Sequence, residues 1–151
     1  FSLLATLPAT TNEYQDDLSN FYSSSDDGQF CYRIEAIENN NSFLFSETSL
    51  SNTTCITPKE LIFIPNSFTP NSDGINDLFL QQIGFADFTT YKISIYNRLG
   101  QEVFMSNNIE KGWDGTNKNE QLQNGIYIYT IQINNTEGKP ISISGTIALL
   151  R

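Results

Sequence analysis

An all-β chain of the sandwich type follows from three observations. Aromatic residues are abundant, with eleven Phe and seven Tyr, while charged residues make up only 17% of the 151 positions. That balance suits pleated, half-buried surfaces better than helix faces. Apolar residues recur at every second position through several short runs, the period at which a strand turns one face inward. Clusters of Pro, Gly, Asn and Asp separate those runs, a spacing that predicts some seven short strands in the second part of the chain and hence a β-sandwich.

Charge divides the chain in two. Residues 1–57 carry eight acids against one base, Arg33, whereas residues 58–151 carry nine acids against seven bases. This shift coincides with the linker Thr57-Pro58, so two units are expected, 1–57 and 58–151, each with a modest core. The net charge of −9 excludes nucleic-acid binding and adhesion to an anionic membrane, both of which depend on Lys and Arg density. No apolar run reaches the roughly eighteen residues that span a bilayer, so direct membrane insertion is not expected. The first residues read as folded sequence with no basic and apolar leader, so the chain is expected to be the tail of a longer protein.

Elements of the first unit are read in order. Asn12–Asp17 and Ser23–Gly28 are polar loops; the turn Asp26-Asp27-Gly28 offers oxygens to a cation, with a solvated hairpin turn as the plainer reading. Phe30 to Ile37 alternates Phe30, Tyr32, Ile34 and Ala36 against Cys31, Arg33, Glu35 and Ile37, which predicts one strand. After the loop Glu38–Ser42, a second run Phe43-Leu44-Phe45 leads to Cys55. With no His and no third Cys in the chain, a zinc site is excluded and a structural disulfide between Cys31 and Cys55 is expected. Closing that loop stabilises by about 3.5 kcal/mol in chain-entropy terms and implies an oxidising compartment.

The second unit opens with a strand at Leu61–Ile64, followed by a dense turn segment and a strand at Leu78-Leu80. Tyr91 to Asn97 alternates with Tyr91, Ile93 and Ile95 inward. Arg98-Leu99-Gly100-Gln101 turns the chain into Glu102–Met105, with glycine at the tight position of a hairpin. A long polar connection containing Gly112-Trp113-Asp114-Gly115-Thr116 ends at Asn124-Gly125. Ile126 to Ile133 is apolar on both sides and predicts a central strand covered on both faces at its start. Gly138-Lys139-Pro140 then reverses the chain into a last strand whose inward residues are Ile141, Ile143, Ile147 and Leu149.

Five motifs occur in order in this unit. They are Ile64-Pro65-Asn66-x-Phe68-Thr69-Pro70-Asn71-x-Asp73-Gly74-x-Asn76-Asp77-x-Phe79, Ile95-Tyr96-Asn97-Arg98-x-Gly100-Gln101-x-Val103-Phe104, Trp113-Asp114-Gly115-Thr116, Asn124-Gly125-x-Tyr127-x-Tyr129, and Gly145-Thr146-Ile147-x-Leu149-Leu150-Arg151. Together they resemble the gliding motility-associated C-terminal domain, the type B sorting domain of the type IX secretion system, over residues 60–151. Leu99 departs from the family, which commonly has an aromatic there. Residues 10–57 resemble the closing strands of a fibronectin type III or immunoglobulin-like module, with Tyr32-Arg33-Ile34-Glu35-Ala36 in place of the penultimate strand and the opening strands missing.

The resemblance implies an immunoglobulin-like sandwich and a targeting function. Such domains sit at the C-terminus of large secreted or surface proteins of Bacteroidota, such as adhesins. They fold in the periplasm and direct export through the type IX translocon to the cell surface, with an outer-membrane barrel of the PorP/SprF type as partner. Candidate recognition residues are Ile147, Leu149, Leu150 and Arg151, on a last strand expected to leave an open edge that a partner extends, together with Asn97 and Arg98 of the hairpin.

Other chemistries are weighed on the residues. Asn71, Asp73, Asn76 and Asp77 offer hard oxygen donors for calcium, although the spacing is not that of an EF-hand; the plainer reading is a loop held rigid by Asx-turns without metal. No other cofactor is expected. Trp113 is read as a cap on the core, with a glycan-stacking platform as the sharper alternative. Catalysis is not expected: there is no His, no Gly-x-Ser-x-Gly elbow, and no apolar setting for the Asp73/Asp77 pair. The rival functions are a carbohydrate-binding or adhesive sandwich and a purely structural linker.

Overall fold

The computed structural model describes residues 1–18, 28–38 and 47–151. Among these, residues 30–56 form a ribbon of short antiparallel pairs. Strand β1 (Phe30–Tyr32) pairs with β4 (Thr54–Ile56), and β2 (Glu35–Ile37) with β3 (Thr48–Leu50). The run from Phe30 to Ile37, expected as one strand, breaks at Arg33-Ile34. Ser51 enters the break: its Oγ accepts the Ile34 N–H at 2.8 Å, and its own N–H donates to the Ile34 carbonyl at 2.9 Å. Cys31 and Cys55 face each other in the β1–β4 register and form the expected disulfide. The run Phe43-Leu44-Phe45 and the aspartates of the Asp26-Asp27-Gly28 turn lie outside the described residues.

From Leu61 onward the chain is an immunoglobulin-like sandwich. One layer is a five-stranded sheet in the order β6-β13-β12-β8-β9, built from β6 (Ser67–Phe68), β8 (Ala86–Tyr96), β9 (Glu102–Ser106), β12 (Gly125–Asn135) and β13 (Pro140–Leu149). The opposing layer holds β5 (Leu61–Phe63) against β7 (Gln82–Gly84) and a single bridge between Phe79 and Trp113. β5 and β6 are one passage of chain that serves first one layer and then the other. It runs antiparallel to β7, then parallel to the end of β13. A small hairpin, β10 (Thr116–Asn117) with β11 (Glu120–Gln121), completes the unit.

Alternation within the strands places the core. Tyr91, Ile93 and Ile95 of β8 meet Tyr127, Tyr129, Ile131 and Ile133 of β12 and Ile147 and Leu149 of β13, and Ile83, Phe79, Phe68 and Trp113 close the cluster from the other side. Gly145 has a specific reason to be glycine. The Tyr129 ring lies across it from the neighbouring strand, so close that a Cβ would stand 2.7 Å from the ring carbon Cζ. One buried polar pair was not anticipated: Gln81 donates to the Tyr91 hydroxyl and, at 3.3 Å, to the Ile109 carbonyl. Burial there pushes the Tyr91 phenol well above its ordinary pKa.

Three expectations are corrected. Leu78-Leu80 is not a strand; only Phe79 bridges, through both backbone bonds to Trp113, and the strand lies at β7. The β10–β11 hairpin lies within the long polar connection after Met105. β12 is central but covered on one face alone, leaving Ile126 and Ile128 exposed on the outer side of the sheet. The last strand does not end on an open edge: the Ala148 and Leu150 N–H groups donate to the Asn66 and Phe68 carbonyls, at 2.9 and 3.1 Å.

Candidate functional site

Strand directions decide where the five motifs meet. β6 and β13 run parallel, and β12, β8 and β9 alternate against them. The exits of β6, β13 and β8 and the entries of β12 and β9 therefore lie at one pole of the sheet. That pole gathers the 69–77 loop, the Asn97–Gly100 turn, the Asn124-Gly125 entry and Arg151; the Asp114–Thr116 turn and β11 reach the same place through a groove of about 480 Å³ lined by Pro70, Asp77, Asp114, Gln121 and Arg151, among others. Motifs spread over ninety residues of sequence thus form one surface.

Each loop is held by its own side chains. Asp77 Oδ1 accepts the N–H groups of Asn71 (3.0 Å) and Ser72 (2.6 Å), and its Oδ2 accepts that of Gly74 (2.8 Å). Asp73 Oδ1 accepts the Ile75 N–H at 2.8 Å and its Oδ2 the Asn71 amide at 2.9 Å. Those bonds, the Ile75 N–H first and the Asn71 amide next, hold the Asp73 carboxyl below the usual carboxylate range. Asn76 sits in the left-handed region at φ 54° and its carbonyl accepts the Thr69 N–H. All four carboxylate oxygens of the loop are thereby engaged in hydrogen bonds within it; the Asx pattern holds for Asp73 Oδ1 and for Asn71 Oδ1, which accepts the Asp73 N–H at 3.1 Å, while Asp77 gathers N–H groups that precede it. Among the described residues no group of three or more His, Cys, Asp or Glu side chains is placed to hold a metal.

The hairpin turn is built the same way. Asn97 Oδ1 accepts the Leu99 and Gln101 N–H groups, at 2.9 and 3.1 Å, and its amide donates to the Gln101 side chain at 2.9 Å. Arg98 and Leu99 are left exposed at the tip. Both Arg151 and Arg98 act on the Tyr127 phenol, offsetting in part the rise that burial imposes on it, which places the two guanidiniums on the same side of the domain.

Trp113 is wholly buried, against Phe68 and Tyr127 with ring centroids 5.2 and 5.0 Å away, and its Nε1–H donates to the Thr116 carbonyl at 2.9 Å. It caps the core and offers no face to a glycan, which removes that alternative. Gly115, at φ +77°, is covered by the Leu149 side chain and by Arg151, whose Nη2 would lie 3.0 Å from an added Cβ. Arg151 closes the pole. Its Nη1 donates to the Leu122 carbonyl and its Nη2 to that of Gly115 at 3.2 Å, while its own carbonyl accepts the Asn124 amide at 3.3 Å.

The candidates read from sequence separate accordingly. Ile147 and Leu149 are at 0% exposure and serve the core; Leu150, Arg151 and Arg98 reach the surface, and Asn97 shapes the turn that carries Arg98. Ser72, Asp114, Thr116 and Gln121 line the groove but were not singled out, because nothing in one dimension tells that their loops converge.

The preceding ribbon attaches at the other pole. Phe30 stands edge-on to Phe85 with centroids 6.0 Å apart, and Gly28 abuts Thr136 in the β12–β13 turn. Phe85 is a bulky residue held at φ 57°, where β7 passes into β8.

No curated protein matches the chain. Residues 62–149, more than half of its length, match the CHU_C type IX secretion signal domain. Those limits begin inside β5 and end at the last residue of β13, enclosing both layers of the sandwich and every loop of the pole except the terminal Leu150-Arg151, and the chain therefore belongs to the CHU_C type IX secretion signal domain family.

Proposed function

We propose that residues 58–151 are an autonomous sorting unit that carries a large cargo, joined through the ribbon, across the periplasm and through the outer membrane by the type IX translocon. A PorP/SprF-type outer-membrane barrel is its receiving partner at the cell surface. Residues 1–57 are the end of a fibronectin type III or immunoglobulin-like module of that cargo. The observation that carries this reading is the arrangement of poles: the five motif loops gather at one end, and the preceding segment joins at the other. A partner reading the loops would meet no steric obstruction from the cargo behind them. Recognition falls to the exposed Arg98, Leu150 and Arg151 and to the groove that Arg151 lines. No bond is made or broken by the domain.

The test is a fusion of residues 58–151 behind a periplasm-targeted fluorescent protein in a host with a type IX system. Export of the reporter is the expected result; retention in the periplasm would sink the proposal. A carbohydrate-binding module is the second reading, and it loses its main support with the burial of Trp113.

A further inference from the structure

Resting on the sorting reading, the geometry points to a docking edge on β13, along Ser142, Ser144 and Thr146, that takes an extended strand from a partner protein. β6 covers only the end of β13, pairing with Ala148 and Leu149, and the chain just before it lies in the other layer as β5. The side of β13 that faces this edge follows from parity. The Ala148 and Leu150 N–H groups bond toward β6, and the register with β12 is continuous from Pro140 to Leu149. Backbone N–H and C=O groups of one strand residue point to the same side, and successive residues alternate. Ser142, Ser144 and Thr146 therefore aim their N–H and C=O groups away from β12, and no described hydrogen bond uses them. All three are exposed.

Side-chain burial agrees. Where β6 covers the edge, the inward residues Ile147 and Leu149 are fully buried. Where it does not, Ile141 and Ile143 are only half-buried, although their cross-strand partners Ile133 and Ile131 are at 1% and 0% exposure. The core is thus open on one flank, along the same stretch where the backbone is unpaired. One added strand satisfies both.

The edge also lacks the usual defences against pairing. Natural edge strands carry Lys, Pro, bulges or inward charges; here Pro140 guards only the first position of the edge, and from Ile141 to Leu150 the chain has no charged residue and no register break. The opposite edge, β9, begins with Glu102 and has β10 beside it. The occupant that fits is an uncharged extended segment with apolar side chains at alternate positions, aimed at Ile141 and Ile143, and small or polar ones between them.

Proline at position 144 deletes an edge-facing N–H without touching a bond to β12, and edge strands tolerate it. The full chain, fused behind a periplasm-targeted reporter, is compared as wild type, Ser144→Pro and Ser144→Thr, with melting curves and sedimentation of each. Expected are equal melting, monomers throughout, wild-type export by Ser144→Thr, and a loss of about tenfold or more by Ser144→Pro. Ser142→Pro makes the same deletion if the first variant melts early. Wild-type export by a folded proline variant overturns the proposal. A wild-type dimer that Ser144→Pro dissociates overturns it differently, by assigning the edge to a second copy. A wild-type fusion that stays in the periplasm refutes the sorting reading itself and takes the partner strand with it.

Discussion

Substituting Gly115 by Ala should be far more costly than the same change at Gly138, although the two glycines have nearly the same backbone, φ +77° and +78°. At Gly138 an added Cβ meets nothing within 4 Å, so only the left-handed conformation is penalised, by about 1–2 kcal/mol. At Gly115 the Cβ would collide with the Leu149 side chain and stand 3.0 Å from Arg151 Nη2 and 3.3 Å from Pro70 Cγ. Leu149 is fixed in the core, so it cannot yield cheaply. Overpacking of this kind adds about 1–3 kcal/mol, for a total of roughly 2–5 kcal/mol. At about 4–8 °C per kcal/mol for a domain of this size, Gly115→Ala should lower the melting temperature by roughly 8–40 °C and Gly138→Ala by roughly 4–16 °C. Calorimetry of the two variants side by side reads the difference. Equal shifts would refute the close approach of Leu149, Arg151 and Pro70 at this turn, and with it the convergence of three motifs on one residue.

Three further outcomes are expected. Reducing the Cys31–Cys55 disulfide should free about 3.5 kcal/mol of chain entropy in the ribbon alone, so amides of β1 and β4 lose exchange protection while the melting of the sandwich stays put. Arg151→Ala should speed amide exchange of the β10–β11 hairpin through loss of the bonds to Gly115 and Leu122, with about 1 kcal/mol of global destabilisation, and Arg151→Lys should restore it only in part because an ammonium lacks the fork. Because the Asp73 pKa is lowered on folding, its support for the loop is complete above the unfolded carboxylate value of about 3.9 and is lost as pH falls through the lower folded value. A titration followed by the Ile75 backbone and Asn71 side-chain amide signals, the two donors to Asp73, should show that order; loosening of the loop already at neutral pH would contradict it.

How much of this was legible in the sequence depends on the range of the interaction. Strands β8, β12 and β13 were readable because alternation is local and their inward residues, such as Tyr91, Ile93, Ile131 and Ile147, are all aliphatic or aromatic. The disulfide was readable from the scarcity of cysteine. Ile126 and Ile128 misled because an apolar residue marks a buried face only when something covers it, and nothing described covers that side of β12. The open edge expected for the last strand is closed at its end for a non-local reason: Ser67 and Phe68, about eighty residues earlier, form the short strand that pairs with Ala148 and Leu149. Gln81 and the groove itself were invisible for the same cause, although Asp77 and Arg151 on its wall were candidates, since a partner such as Tyr91 or a neighbouring loop is defined only once the sheet order is known. The loop around Asp77 was half legible, its rigidity being implied by Asn and Asp density but its single central acceptor being visible only in three dimensions.

The two poles allow a matched comparison. Gly100 and Gly138 lie in exposed turns with φ +78° and open space around each, one at the loop pole and one at the ribbon pole, so a short epitope inserted after either should leave the fold intact. Export of the reporter fusion carrying each insertion is the measurement: the insertion after Gly138 should pass to the cell surface and the one after Gly100 should hold the reporter in the periplasm, whereas equal export of both would contradict recognition at the loop pole.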